Sequence, residues 1–180
     1  AVLVETGPAS TWDALDAALR ARGLAPSELS AALVTHIHLD HAGAAGHLAA
    51  LGVDVHVHPR GARHLVDPSR LLASAERIYG DQMVPLWGAT RPAPPERVHV
   101  AVDGATVRAA GLAFTALETP GHAGHHHAWR FEDAVFCGDV GGVRMPDSRL
   151  VAVPAVPPEF DPVAWRASIT AAAARRPRSS

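Results

Sequence analysis

Short apolar runs alternate with helix-like segments along the first third of the chain. Residues 2–4, 31–34 and 53–57 each have the length and apolar character of a buried strand. Two segments between them, ending at Gly23 and Gly52, have helix-like composition, and Ser10 is the predicted N-cap of the first. We expect the second of these helices over residues 42–51. The order strand, helix, strand, helix, strand predicts an α/β layered fold.

Residues 59–95 interrupt this alternation of strands and helices. They predict two or three short helices, one beginning at Asp67 and Pro68 and ending at Gly80. Tyr79 and Trp87 fall at helical spacing within this segment, together with Met83. Two interpretations stay open: the three side chains form a helix face packed on the core, or the segment caps an active site and its aromatic residues line a substrate pocket.

The second half of the chain is rich in strand patterns. Residues 97–102, 105–110, 112–118, 126–131 and 134–138 predict five strands separated by turns. Asp161 and Pro162 then begin a last helix over 163–174, and residues 174–180 form a polar tail that we expect to be disordered. The whole chain, 1–180, is expected to form a single domain with 59–95 as a helical insertion.

Composition excludes several classes of function. A net charge of −2 and a pI near 6.7 give no indication of a nucleic-acid or membrane partner, so the expected partner is a small-molecule substrate. The single cysteine, Cys137, excludes an internal disulfide and indicates a reducing compartment, which predicts a cytoplasmic location. No apolar run has the length of a membrane span.

The chemistry concentrates in the stretch THIHLDHAG at residues 35–43. His36, His38, Asp40 and His41 follow the apolar strand 31–34 within six positions. Neutral imidazole and carboxylate are ligands that zinc uses in reactive sites, where a position stays open for water. The spacing H-x-H-x-D-H lets one loop contribute ligands to two adjacent metal ions.

Two later stretches offer the remaining ligands. TPGHAGHHH at 119–127 contains His122 behind a Pro-Gly turn, and FCGDVGG at 136–142 contains Asp139 after an apolar run. An aspartate in that position can bridge two cations through its two oxygens. Of the following histidines, His125 is a candidate for the substrate pocket, although plain strand positions explain His125, His126 and His127 equally well.

These three motifs, in this order, resemble those of the metallo-β-lactamase fold superfamily of hydrolases. The resemblance runs from Glu5 to about Asp139 and implies an αββα sandwich with the site at one edge of the packed sheets. It also implies two zinc ions, with iron or manganese as alternatives. By position, the implied metal ligands are His36, His38 and His122 for the first ion, and Asp40, His41 and the bridging Asp139 for the second. Glu5 would orient a ligating histidine.

The sequence departs from the family pattern at both ends. Family members carry a further histidine after Asp139 that completes the second metal site, and no histidine follows Asp139 here. The strands that usually precede the Glu5 turn are also missing. We therefore expect this chain to be a piece of a longer protein, with an incomplete sandwich and an under-ligated second metal.

The function implied by the resemblance is hydrolysis. A metal-bound hydroxide, oriented by Asp40, would attack a small ester, lactone, thioester or phosphodiester, without a serine or cysteine nucleophile. Two alternatives stay open. One is a persulfide-type dioxygenase with a single iron on the same fold, and the other is a non-catalytic remnant that binds one metal or none.

Overall fold

Two four-stranded sheets pack face to face in the computed structural model, which describes residues 1–156 and 159–174. The first sheet contains β1 (Val2–Val4), β2 (Ala31–Leu33), β3 (Asp54–Val57) and β4 (Val98–Val100), and the second contains β5 (Thr106–Ala109), β6 (Leu112–Glu118), β7 (His127–Phe131) and β8 (Ala134–Phe136). The described helices are α1 (Trp12–Arg20), α2 (Leu39–Ala42), α3 (Ala45–Ala50), α4 (Pro59–Val66), α5 (Ser69–Tyr79), α6 (Met83–Trp87) and α7 (Pro162–Ala174).

The first sheet is entirely parallel, so helical connections cover its outer face. Its strands direct Val55 and Val57 into a fully buried cluster, where they meet Leu48 of α3 and Leu65 of α4. This cluster is the larger of two apolar cores in the described part of the chain. The parallel pairing brings the carboxyl ends of β1, β2 and β3 to the same edge.

The second core lies between the two sheets. Leu33 of β2 points into it and meets Phe114 of β6 and Trp129 of β7, while the adjacent Ala32 faces the helices instead. Trp129 is fully buried and its Nε1 donates a hydrogen bond to the carbonyl oxygen of Val34, 3.1 Å away. This bond joins the antiparallel second sheet to the end of β2, where the histidine-rich loop begins.

The observed architecture confirms the predicted α/β fold, an incomplete αββα sandwich with two packed sheets and helices on the outer face of the first. All the strands expected from the sequence are present, β1 and β6 with the predicted bounds and the others shorter. The expected helix over 42–51 begins at Ala45, because residues 39–42 form their own helical turn. The assignment of Ser10 as an N-cap was wrong. Ser10 lies in a 3₁₀ turn and its hydroxyl donates to the carbonyl of Leu86, 2.6 Å away.

Residues 59–95 contain α4, α5 and α6, as the sequence predicted. Tyr79 and Trp87 do not share one helix, because α5 ends at Tyr79 and Gly80, with a φ of +49°, begins a 3₁₀ turn before α6. Their rings nevertheless meet edge to face with centroids 5.1 Å apart. The division of 1–180 into one domain with a cap stays a prediction, and residues 175–180 of the expected tail lie outside the described residues. None of the described helices has the length and apolar character needed to cross a membrane.

One histidine cluster lies away from the histidine-rich loops. His56 of β3 pairs in register with Leu33 and with His99, and the rings of His56 and His99 are 5.2 Å apart. Nε2 of His99 lies 3.2 Å from Oδ1 of Asp54, which also accepts a hydrogen bond from Arg97. The pKa of His56 is lowered to about 4. Burial is the main cause; the charge of His99 also lowers the pKa, by more than the charge of Asp54 raises it.

This shift predicts a loss of stability in mild acid. The pKa of His56 is lower in the folded than in the unfolded protein, so the unfolded state binds more protons. The stabilisation is complete above the unfolded pKa of 6.5 and is lost as the pH falls towards 4. We expect His56→Gln to reduce the loss of unfolding free energy between about pH 7 and pH 5 by about 1 kcal/mol, a value discounted for partial solvent exposure. Urea titrations at both pH values measure it, and parallel losses in the two proteins would contradict the expectation.

Candidate metal centre

The histidine-rich loops meet at one edge of the sandwich because of the strand pairing. Glu5 follows β1 and His36 follows β2, and the two strand ends are joined by a hydrogen bond from the amide of Glu5 to the carbonyl of Leu33 at 2.9 Å. The loop after β6 carries His122, and the turn after β8 carries Asp139. Ligand sites in α/β sheets form where the carboxyl ends of strands leave a crevice, and these side chains lie in such a place.

Three imidazole nitrogens converge in this crevice. Nε2 of His36 lies 3.0 Å from Nδ1 of His38, and Nε2 of His122 lies 2.9 Å from the same atom. All three nitrogens are within 4.8 Å of one another. His36 and His122 are almost completely buried, and His38 is partly buried.

Hydrogen bonds at the far side of the rings determine which nitrogens carry protons. Nδ1 of His122 lies 2.7 Å from the carbonyl oxygen of Pro154, which can only accept, so this nitrogen is the donor. Thr35 donates its hydroxyl proton to Glu5 at 2.5 Å and therefore accepts from Nδ1 of His36 at 3.0 Å. When these two rings are neutral, Nε2 of His36 and Nε2 of His122 therefore carry no proton, and each presents a lone pair.

This arrangement fits a cation. Two lone pairs point at Nδ1 of His38, whose single proton can satisfy only one of them. Burial and the charges of neighbouring histidines hold the pKa of His36 well below its ordinary value, and burial lowers the pKa of His38 to about 4. Neutral imidazole is the form that binds a metal ion, so the donor set suits a divalent cation such as zinc.

A second group of donors adjoins the first. His36, His41 and Asp139 also bring ligand atoms within 4.8 Å of one another. Oδ1 of Asp139 lies 3.1 Å from Nε2 of His41, and its Oδ2 lies 3.3 Å from Nε2 of His122. The two oxygens of this carboxylate therefore face different histidines, which is the geometry that a bridging ligand requires.

Asp40 is less tightly placed than the other predicted ligands. Its Oδ2 lies 3.5 Å from Nε2 of His41, and about half of its side chain is exposed (51%). Within the described part of the chain it belongs to neither of the two three-residue donor groups. Asp40 instead lines the cleft in front of them.

His41 is held between two carboxylates. Its Nδ1 lies 3.2 Å from Glu5 and its Nε2 lies 3.1 Å from Asp139. Burial lowers the pKa of His41, but the hydrogen bonds to Asp139 and Glu5 outweigh it and raise the pKa to about 10. Without a cation this ring is therefore protonated, and a metal bound at Nε2 would replace that proton.

Glu5 organises both donor groups from behind. Its carboxylate accepts from the hydroxyl and the amide of Thr35 and from His41, so it orients His36 indirectly and His41 directly. Glu5 adopts a φ of +64°, a conformation that non-glycine residues rarely take and that often accompanies functional sites. From this position Glu5 can orient ligating histidines, and that role stays a prediction.

His126 also lies in this neighbourhood, although the sequence around it did not single it out. It is fully buried, and its ring centroid lies 4.9 Å from that of His36. Nδ1 of His126 lies 2.8 Å from the hydroxyl of Thr119, while its Nε2 has no partner among the described residues. A Cβ at Gly138 would come within 2.8 Å of that Nε2, so glycine is required beside Asp139. The run His125, His126, His127 indicated that a histidine of this loop belongs to the site, but it did not indicate which one points inward.

A cleft of about 320 Å³ opens in front of the donors. All three side chains predicted to line a substrate pocket, Tyr79, Trp87 and His125, line it. The other lining residues are His38, Leu39, Asp40, Leu71, Ser74, Ala75, Ile78, Asp139, Val143, Pro154, Val156 and Glu159. Helices α5 and α6 thus contribute one part of the cleft and the segment after Asp139 contributes another.

Known proteins of one superfamily are similar to this chain in sequence. A family model described as the metallo-beta-lactamase superfamily matches residues 1–178. A hydroxyacylglutathione hydrolase of Shewanella halifaxensis is 30% identical over 108 residues, 59% of this chain and 31% of that protein. A metallo-beta-lactamase fold-containing protein of Sulfurisphaera tokodaii is 27% identical over 133 residues, 72% of this chain and 50% of that protein. The chain thus spans half or less of the length of these curated relatives.

Solved structures show the same fold. An archaeal metallo-beta-lactamase superfamily protein from Sulfolobus tokodaii superposes with a TM-score of 0.72 at 24% identity, covering 94% of this chain and 64% of that one. The FEZ-1 metallo-beta-lactamase from Legionella gormanii gives a TM-score of 0.67 at 20% identity, covering 97% of this chain and 65% of that one. The two packed sheets, the histidine-rich edge and the match over almost the whole chain lead to one conclusion: this chain belongs to the metallo-beta-lactamase superfamily.

Proposed function

We propose that this chain carries the active site of a metal-dependent hydrolase. The observation that supports the proposal is the convergence of the nitrogens of His36, His38 and His122 beside a cleft that His38 lines, with lone pairs on two of these nitrogens. The superfamily includes hydrolases, and one curated relative is named as a hydroxyacylglutathione hydrolase. The expected substrates are small esters, lactones, thioesters or phosphodiesters.

The donor groups suggest sites for two zinc ions. His36, His38 and His122 would hold the first, and His41, Asp40 and Asp139 would hold the second, with Asp139 between them. Metal ions held in this way lower the pKa of water and polarise the carbonyl or phosphoryl oxygen of a substrate. The second site has fewer buried donors than the first, since Asp40 is half exposed.

The chain's own residues have separable roles. Asp40 lines the cleft beside His41, where its carboxylate can orient an attacking water and accept its proton. Glu5 and Pro154 keep the histidine rings in the tautomers that leave lone pairs towards the cleft. Helices α5 and α6 supply an apolar wall beside the donors. A cytoplasmic location, supported by the single cysteine, is part of the same proposal.

Metal content distinguishes this proposal from the iron-dependent alternative. We expect the chain, purified without added metal, to contain zinc in the site of His36, His38 and His122, with a second equivalent bound on titration. Elemental analysis of the wild type and of a His122→Ala variant measures it. One tightly bound iron would favour the persulfide-type dioxygenase instead. Metal content that is unchanged in the variant would contradict the assignment of His122.

Replacement of Glu5 tests how the donors are oriented. The Glu5→Gln variant replaces the charged carboxylate, which accepts hydrogen bonds from Thr35 and His41, with a neutral amide. The imidazoles of His36 and His41 are then less firmly oriented. We expect zinc affinity to fall by about 10- to 100-fold, the range found for residues that orient metal ligands.

The affinity is measured by competition with a chromophoric chelator. Glu96→Gln is the matched control, because Glu96 is exposed and distant in the sequence from every predicted ligand. Equal zinc affinity in the two variants would remove Glu5 from its orienting role.

A further inference from the structure

The walls of the cleft are mostly apolar. Leu71, Ile78 and Tyr79 of α5 line it together with Trp87 of α6, and Val143 and Val156 line it from the segment after Asp139. Ile78 is 64% exposed and Tyr79 is 38% exposed, so the described chain leaves this apolar surface open to a ligand. An apolar group of a ligand that moves from water onto this surface gains free energy, because both apolar surfaces are removed from water.

The charged groups of the cleft are unevenly placed. Asp40 and Asp139 belong to the metal centre, where bound cations would offset their charge. Glu159 does not belong to it, and its Oε2 accepts a hydrogen bond from the amide of Gly124 at 3.3 Å and lies 3.8 Å from His125. Glu159 is therefore a half-exposed carboxylate at the cleft, positioned by one backbone hydrogen bond and with no cation of the candidate metal centre assigned to it.

No arginine or lysine lines the described part of the cleft beside this carboxylate, and His64, which interacts electrostatically with Glu159, lies outside the lining. None of the described lining residues is an arginine, and the sequence contains no lysine. Arg60 lies nearby but donates to the carbonyl oxygen of Gly124 at 3.1 Å and does not line the cleft. A substrate anion away from the metals would lose water to apolar walls and approach Glu159, and both effects disfavour it.

From this charge distribution we infer that the cleft selects an uncharged ester or lactone with an apolar acyl chain, and that Glu159 is a specificity residue that rejects acyl chains ending in an anion. The inference rests on the proposed hydrolytic function. In the reaction the water oxygen bonds to the carbonyl carbon, the acyl–oxygen bond breaks with its electron pair, and the leaving alcohol oxygen takes up a proton.

Two esters with the same leaving group test the selection. In 4-nitrophenyl butyrate and mono-4-nitrophenyl succinate, acyl chains of the same length end in a methyl group and in a carboxylate. We expect the zinc-loaded chain to hydrolyse the butyrate with a kcat/KM higher by about tenfold or more. An equal or higher kcat/KM for the succinate would overturn the inference and leave the hydrolase intact.

The role of Glu159 is tested by removing its charge while keeping its hydrogen bond. Glu159→Gln can still accept from Gly124, and we expect it to reduce the butyrate-to-succinate ratio by about threefold, with Glu159→Lys reducing it further. Glu96→Lys is the control of equal charge change outside the cleft and should leave the ratio unchanged. An unchanged ratio in both Glu159 variants would remove this residue from the selection.

A binding measurement separates this inference from the proposed function. Butyranilide and succinanilic acid are stable amides of the same two acyl groups, and their binding can be followed by the fluorescence of Trp87 and the other tryptophans. We expect tighter binding of the butyranilide. If neither ester is hydrolysed but this preference holds, the hydrolase proposal fails and the selectivity of the cleft stands. Tighter binding of succinanilic acid would overturn the selectivity.

Discussion

The candidate metal centre depends on the hydrogen bonds that the carboxylate of Glu5 accepts. Thr35 donates to Glu5 through its amide and its hydroxyl, and His41 donates through Nδ1. These bonds exist because β1 and β2 run parallel in register, which places the residue after one strand beside the residue after the other. Without this carboxylate Thr35 would lose the acceptor of its hydroxyl proton, and His41 would lose one of its carboxylate partners. The unusual φ of Glu5 indicates that the surrounding structure enforces the position.

Electrostatics explain why so many buried imidazoles occur together. His36, His122 and His126 are almost fully inaccessible, and His38 lies among them. Burying polar rings costs free energy unless they are partnered, and the outward nitrogens have partners in Thr35, Pro154 and Thr119. The inward nitrogens face one another, so a metal-free site leaves lone pairs opposed. A cation would remove this conflict.

The candidate metal donors and the apolar surface of the cleft come from different elements. The donors occupy the edge of the sandwich, while α5, α6 and the segment after Asp139 supply an apolar surface beside them. Leu65 and Leu71 connect the helices of this region to the first core, so the cleft wall and the sheet are packed as neighbours. A scaffold of this kind can change its substrate by changing the helices while it keeps its metal ligands.

Local sequence was sufficient for much of this picture. Apolar runs bounded by Gly and Pro predicted the strands, and the clustering of His36, His38, Asp40 and His41 predicted a metal-binding loop, because both signals are carried by residues close together in the chain. The order of the three motifs pointed to the fold. The N-cap at Ser10 was wrong because its hydroxyl bonds to Leu86, a partner 76 positions away.

Only the tertiary structure decided how distant groups meet. That His126 lies inward while His125 lines the cleft depends on the twist and packing of the loop before β7, which the sequence HHH does not encode by itself. The same holds for Glu159, which reaches the cleft through a hydrogen bond to Gly124, 35 residues away. Residue types and local periodicity are properties of the sequence. Proton positions, ligand convergence and the charge of a cleft arise from contacts between segments, so only folding determines them.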